Sequence, residues 1–185
     1  MKKALMVIDI QKDYFPDGRM ALNNMEAAAR NCRALLEKFR SMEMPTFVIQ
    51  HLFTTPDAPF FVPNTRGAEI HPDIAPTAQD TLIVKNGINC FLNTELLLRL
   101  KQTNVKHVVI CGAMSHMCVD AAVRAAVDFG FHCTLAHDAC ATRALEFNGV
   151  TVPAGQVHAA YMAALGYAYA DVVSTEEVLK SVVPG

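Results

Sequence analysis

Strand-like and helix-like patterns take turns along this chain from residue 4 onward. Residues 4–9 read as a buried strand, and residues 24–42 as a helix with Ala28, Cys32, Leu35, Leu36 and Phe39 at helical spacing. Asn23 or Asn24 stands where it can cap that helix, and Pro45 lies just past its end. The pattern predicts further strands over residues 46–51, 81–85, 106–111, 131–137 and 171–173. It predicts helices over residues 94–101, 118–129 and 153–165, the second ended by Gly130 and the third with His158, Met162 and Leu165 on one face. Ser174-Thr175-Glu176-Glu177 is a capping box for a last helix. Alternating β and α units imply a mainly parallel sheet with helices on both faces. The expected architecture is α/β, three layers built on a six-stranded sheet, with residues 1–185 as one domain.

Residues 52–80 break the rhythm, with prolines at 56, 59, 63, 72 and 76. A connection this long is uncommon inside a compact domain and is often functional. Phe53, Phe60 and Phe61 fit a lid over a pocket or a contact with a neighbouring subunit, and equally a surface loop with local packing.

Composition narrows the class. The chain is 52% hydrophobic and 18% charged, which is globular rather than disordered. A net charge of −2 with no basic block gives no electrostatic reason to expect a nucleic-acid or anionic-membrane partner. Lys2 and Lys3 precede an apolar run that Asp9 interrupts at once, so the reading expects no signal peptide. Six cysteines form no C-x-x-C, which argues against a zinc or thioredoxin-type motif and for reduced thiols in a cytoplasmic protein. The expected partner is a small-molecule substrate, and the apolar content with the aromatic loop suggests a homo-oligomer, a dimer or tetramer.

Three strand ends carry chemistry. Leu5-Met6-Val7-Ile8 runs into Asp9, and Thr81-Leu82-Ile83-Val84 runs into Lys85. Val108-Val109-Ile110-Cys111 runs into Gly112, and Cys118 follows where the next helix opens. The carboxyl ends of parallel strands are where α/β proteins bind ligands. A helix N-terminus also favours thiolate, so Cys118 is expected to have a depressed pKa. A carboxylate after Met6-Val7-Ile8 is costly to bury unless paired, and Lys85 supplies a partner. Read one at a time, Cys118 is a core residue, Asp9 a turn cap and Lys85 a snorkelling strand-end lysine. Read together, they fit nucleophile, base and positioning charge. Cys32, Cys90, Cys111, Cys133 and Cys140 read as small core residues. Gln11, Phe15, His51 and His116 are the expected substrate-binding residues, the last two because they end a strand and flank the thiol.

Val7-Ile8-Asp9-Ile10-Gln11-Lys12-Asp13-Tyr14-Phe15 resembles the opening D-x-Q-x-x-F motif of the isochorismatase-like cysteine hydrolases. Val84-Lys85-Asn86-Gly87-Ile88-Asn89-Cys90-Phe91 resembles their lysine motif, and Gly112-Ala113-Met114-Ser115-His116-Met117-Cys118-Val119 their G-x-x-[ST]-x-x-C-V motif. The three come in the family's order and span nearly the whole chain. The resemblance implies a Rossmann-like fold and an Asp9, Lys85, Cys118 triad. It also implies a cis peptide between Ala113 and Met114, and an oxyanion hole made by the backbone N–H groups of Met114 and Cys118.

The chain departs from parts of that family. Nicotinamidases carry an Asp-x-His pair after the second strand for a metal, and here the stretch is Ile49-Gln50-His51. The resemblance therefore implies no metal and no cofactor, and a substrate other than nicotinamide. The expected function is hydrolysis of a C–N bond in a small amide, carbamoyl or related substrate through a thioester. The alternatives are isochorismatase-type vinyl-ether hydrolysis led by Asp9, whose performers lack the cysteine, and a non-catalytic binding protein or redox sensor using Cys118 as a reactive thiol. A nucleotide-binding role is disfavoured because no G-x-G-x-x-G follows the first strand.

Overall fold

The computed structural model describes residues 2–55 and 57–182; Pro56 of the long loop lies outside them, as do Met1 and residues 183–185. Six strands form one sheet: β1 (Lys3–Ile8), β2 (Thr46–His51), β3 (Asp80–Lys85), β4 (His107–Ala113), β5 (His132–Ala141) and β8 (Asp171–Val173). Their order is β3-β2-β1-β4-β5-β8, and every neighbouring pair is parallel. The chain builds outward from β1 in one direction and then from β4 in the other. The order therefore reverses between β1 and β4, the crevice where open α/β sheets bind ligands.

Period-two alternation in the strands divides the core. Leu5, Val7, Val48 and Val109 face α1 (Met25–Ser41) and α5 (Thr175–Ser181). Ala4, Met6, Ile8, Phe47 and Ile110 face α2 (Leu96–Gln102), α3 (Asp120–Asp128) and α4 (Ala154–Ala168). Both sheet faces are covered, as a parallel sheet requires. In α1 the predicted stripe Ala28, Cys32, Leu35, Leu36 and Phe39 is buried. Asn24 occupies that helix's cap position in the left-handed region (φ 60°) and makes no side-chain cap bond, so it does not cap as expected. Ser174 does cap: its hydroxyl accepts from Glu177 N–H while the Glu177 carboxylate accepts from Ser174 N–H.

Three differences from the sequence reading matter for function. A five-residue π-turn, Ser115–Val119, precedes α3, so Cys118 lies in that turn rather than in the α-helix. β5 runs on to Ala141, four residues past the predicted end, through a register shift against β4. A hairpin, β6 (Leu145–Phe147) and β7 (Val150–Val152), follows it. Its turn is Asn148-Gly149, both at positive φ (50° and 74°), as a two-residue type I′ turn demands.

The long loop packs onto its own chain. It carries two single-turn helices, Arg66–Ala68 and Pro72–Ile74, and buries Phe61 and Ile74 fully. The Asp13 carboxylate accepts from Phe61 N–H at 2.7 Å, and Gln11 bridges to Ile70. No helix among the described residues is long and apolar enough to cross a membrane.

Candidate active site

Strand geometry collects the chemistry at one edge. Ile8 pairs with Ile49 and His51 with Lys85, so the ends of β1, β2 and β3 are neighbours. Asp9 leaves β1 at φ 53°, a region that non-glycine residues rarely occupy and that concentrates at functional sites. Gly112, near the end of β4, sits at φ 125° with Ile8 O only 2.1 Å from where a Cβ would be, so no other residue fits there. The next peptide but one, Ala113–Met114, is cis. The π-turn then carries Cys118 back over the strand ends.

The result is a fully buried quartet: Asp9, His51, Lys85 and Cys118 are each no more than 1% exposed. Lys85 Nζ stands at its centre, 3.0 Å from Asp9 Oδ2, 3.1 Å from Cys118 Sγ and 3.2 Å from His51 Nδ1. It also donates to the carbonyls of Gly87 (3.0 Å) and Ile88 (3.3 Å), which fix its aim. Neither oxygen of Asp9 accepts a hydrogen bond of good geometry. The carboxylate is therefore paired in charge and free to take a proton.

The charges follow from burial and neighbours. Burial pushes Asp9 upward, and although Lys85 and the Cys118 thiol pull it back, the carboxyl stays above its usual range. Burial pulls Lys85 down, but Asp9 and Cys118 outweigh it, so the lysine is held as an ammonium. Burial and then the Asp9 charge drive the Cys118 thiol well up, against Lys85. This overturns the expectation of a depressed thiol pKa: the resting site holds a neutral thiol beside a carboxylate and an ammonium. The turn ahead of α3 supplies too little to offset desolvation.

Asp9, His51 and Cys118 bring a carboxylate, an imidazole and a thiol within 4.8 Å of one another, a donor set a transition metal accepts. The Lys85 ammonium stands against all three, so the positive charge among them is the chain's own, and a metal does not fit beside it.

A cavity of about 370 Å³ opens onto the thiol. Cys118, Met114, His51 and His116 line it. Ala113 is buried behind it. Gln11 and Phe15 are not part of it. Gln11 is fully buried with its amide bound to the backbone of His51 and Ala68. Phe15 stacks on His71 (3.9 Å between ring centroids) in a separate cavity, because the single helical turn at Lys12–Tyr14 directs its neighbour Tyr14 to the thiol's side instead. His116 holds Thr142 (2.6 Å) and is kept neutral by burial and then by Arg143. The walls that sequence reasoning missed include Tyr14, Arg143 and the start of the β6–β7 hairpin, Leu145 and Glu146. Phe53 and Phe60 come from the long loop, so the loop's aromatics form cavity wall.

Residues 3–177 match the family model described as Isochorismatase domain. The chain belongs to the isochorismatase family. It is 51% identical over 180 residues to the uncharacterized isochorismatase family protein YddQ of Bacillus subtilis (strain 168), covering 97% of this chain and 100% of that one. It superimposes on a crystal structure from Oleispira antarctica named for the same family with a TM-score of 0.93, at 48% identity, covering 97% of this chain and 96% of that one. It is 26% identical to Nicotinamidase 3 of Arabidopsis thaliana, covering 96% and 87% of the two chains. The protein is thus an isochorismatase-family hydrolase on a parallel, Rossmann-like sheet.

Proposed function

We propose that this family member is a cysteine hydrolase that cleaves the C–N bond of a small amide, carbamoyl or related substrate through a thioester. One observation carries the reading: a single buried ammonium, Lys85, lies 3.0 Å from a carboxylate and 3.1 Å from a thiol that faces a cavity. An acid–base group, a nucleophile and a fixed charge in contact are the parts that acyl transfer needs.

In this reading Asp9 takes the thiol proton as sulfur attacks the substrate carbonyl. The S–C bond forms and the carbonyl π pair moves to oxygen. The backbone N–H groups of Met114 and Cys118 donate to that oxyanion, a contribution of about 3–4 kcal/mol per donor in comparable sites. Collapse breaks the C–N bond, and Asp9 returns its proton to the departing amine. Asp9 then deprotonates a water that attacks the thioester; the acid leaves, and sulfur recovers a proton from Asp9. The net reaction is amide plus water to acid plus amine. The raised thiol pKa means that thiolate forms only as substrate is attacked, with Lys85 offsetting the charge. The same reading keeps a small molecule as the partner and a second copy of the chain as the natural associate.

The test is an amide and ureide panel read by ammonia release, run beside Cys118→Ala. Release by the parent and a loss of at least about 100-fold in the variant are expected. Ammonia release that survives in Cys118→Ala overturns the reading, because the amide is then cleaved without the thiol; vinyl-ether chemistry led by Asp9 would instead give no ammonia from either protein and hydrolysis of a vinyl ether by both. Reversible thiol oxidation with no turnover of any amide points to a redox sensor.

A further inference from the structure

Ser115 holds the hydroxyl place of the motif that carries Cys118, and the thioester reading gives that hydroxyl no task. The residue is fully buried and does not line the catalytic cavity. It opens the π-turn, three residues before the thiol. Its hydroxyl has two partners: Ala141 O at the end of β5, 3.3 Å away, and His158 Nδ1 on α4, 2.9 Å away. A hydroxyl has one proton to give. Donated to Ala141 O, it leaves Ser115 Oγ to accept from His158 Nδ1–H.

A π-turn is rare and tends to mark a functional site. Inside this one, Met117 N–H and Val119 N–H both go to Met114 O, at 3.0 and 3.2 Å. The first two side chains of the turn are tied outward instead. His116 Nδ1 lies 2.6 Å from Thr142 Oγ1, and Ser115 is tied to His158. The two ties differ in what else they touch. His116 lines the catalytic cavity. His158 opens on a separate cavity of about 410 Å³, with His137, Asp138 and Asn31. Burial, and then the neighbouring His137, hold its pKa below the ordinary 6.5, so the ring is neutral near pH 7. Its route to the thiol runs through Ser115.

Resting on the cysteine-hydrolase reading, we propose that His158 is a positioning residue: through Ser115 it pins the π-turn that presents the Cys118 thiol and the N–H groups of Met114 and Cys118 to the reacting carbonyl. The sulfur has to stay 3.1 Å from Lys85 while both N–H groups serve one oxygen. A shift of about 1 Å at a reacting group costs up to about 100-fold in rate, even when its cause lies away from the chemistry. α4 is 15 residues long and packs into the core through Met162 and Leu165. The tie therefore runs from a short turn to a rigid element.

The experiment uses the full chain, the best amide of the panel and three variants. His158→Phe keeps a ring and removes Nδ1–H. His158→Asn puts an amide N–H close to the place of Nδ1–H. Ser115→Ala removes the hydroxyl. His158→Phe and Ser115→Ala are each expected to lower kcat by about tenfold or more while KM changes by less than about threefold. Combined, they are expected to cost no more than the larger single change, because both break one network. His158→Asn is expected to recover part of the lost kcat. Equal effects on kcat and KM, additive losses, or a His158→Asn protein no better than His158→Phe mean a merely structural residue and overturn the proposal. Thermal melts check folding, and where His158→Phe does not fold, the kcat-against-KM split of Ser115→Ala decides. Alkylation of Cys118 by iodoacetamide at fixed pH reads the turn without any substrate. It is expected to slow in His158→Phe and to recover in His158→Asn, because a loosened turn takes the sulfur away from Lys85. An unchanged rate overturns the positioning role. A parent that turns over no amide, with that alkylation pattern intact, refutes the hydrolase reading and supports the pinned turn.

Discussion

The side-chain amide of Gln11 spans the backbone of His51, donating to its carbonyl and accepting from its N–H at 2.8 Å each. It does what another residue of β1 would do if that strand continued. The same amide nitrogen donates to Ala68 O at 2.8 Å, tying the long loop to the sheet edge. Gln11→Leu leaves two buried backbone groups unpaired, His51 O and His51 N–H, while Ala68 O keeps the Gln50 amide at 2.9 Å; each unpaired group costs roughly 1–3 kcal/mol. A loss of about 2 kcal/mol or more in unfolding free energy is expected, read as a lower urea midpoint at unchanged slope. A loss below about 1 kcal/mol would mean that solvent replaces the amide and the loop is anchored elsewhere.

Much of this molecule could be read from the order of its residues, for reasons that differ by region. The parallel sheet was legible because apolar strand runs and helix stripes alternate, and the sheet's carboxyl edge follows from that topology alone. Asp9, Lys85 and Cys118 were legible because each sits at such an edge. Phe15 and Tyr14 were not separable, since one turn of helix decides which ring turns to the cavity. Gln11 was misplaced because a buried amide satisfied by backbone looks, in sequence, like one that waits for a ligand. The hairpin carried its own signal, Asn148-Gly149 between apolar residues, but its strands are three residues each. The thiol's raised pKa was invisible because desolvation depends on what surrounds the turn, not on the turn itself.

The buried Asp9–Lys85 pair sets the acid side of activity. Asp9 must be ionised to act as base, and its pKa is raised above the ordinary 3.8. The acid limb of kcat/KM is therefore expected to lie above the normal carboxylate range, with activity falling as pH drops through it. Lys85→Met removes the charge that pulls Asp9 back, so the limb moves further up. The same change removes the cation that favours thiolate, and alkylation of Cys118 by iodoacetamide at fixed pH slows. Turnover drops by at least about 100-fold. A limb that stays in place in a folded Lys85→Met protein would show that Asp9 is not the base.

Gly67 tests how the loop is held over the site. A Cβ there would lie 2.0 Å from Asp13 Oδ1, and that carboxylate carries Phe61 N–H at 2.7 Å. Asp13 is 3% exposed and cannot swing into solvent without opening the loop. Gly67→Ala is expected to cost about 1–3 kcal/mol through overpacking. It should also raise KM more than it lowers kcat, because Phe60, next in the chain to Phe61, lines the cavity while the quartet stays intact. Equal effects on kcat and KM would place the damage in the quartet instead.

His51 links stability to pH with a definite sign. Its pKa is about 4 in the folded chain against an ordinary 6.5, so between those values the unfolded chain binds a proton that the native state refuses. Stability therefore rises with pH across that window, is complete above about 6.5, and is lost as pH falls toward 4. A folded value of about 4 against 6.5 corresponds to at most about 3 kcal/mol. Asp9 works in the opposite sense over part of the range, because its raised pKa lets the native state hold the extra proton. The clean quantity is therefore a difference. Unfolding free energies of the parent and of His51→Phe, measured from pH 7.5 to 4.5, share the Asp9 contribution and those of the other histidines. The parent is expected to lose up to about 3 kcal/mol more than His51→Phe over that span. Parallel curves would mean that His51 accepts a proton freely in the folded chain.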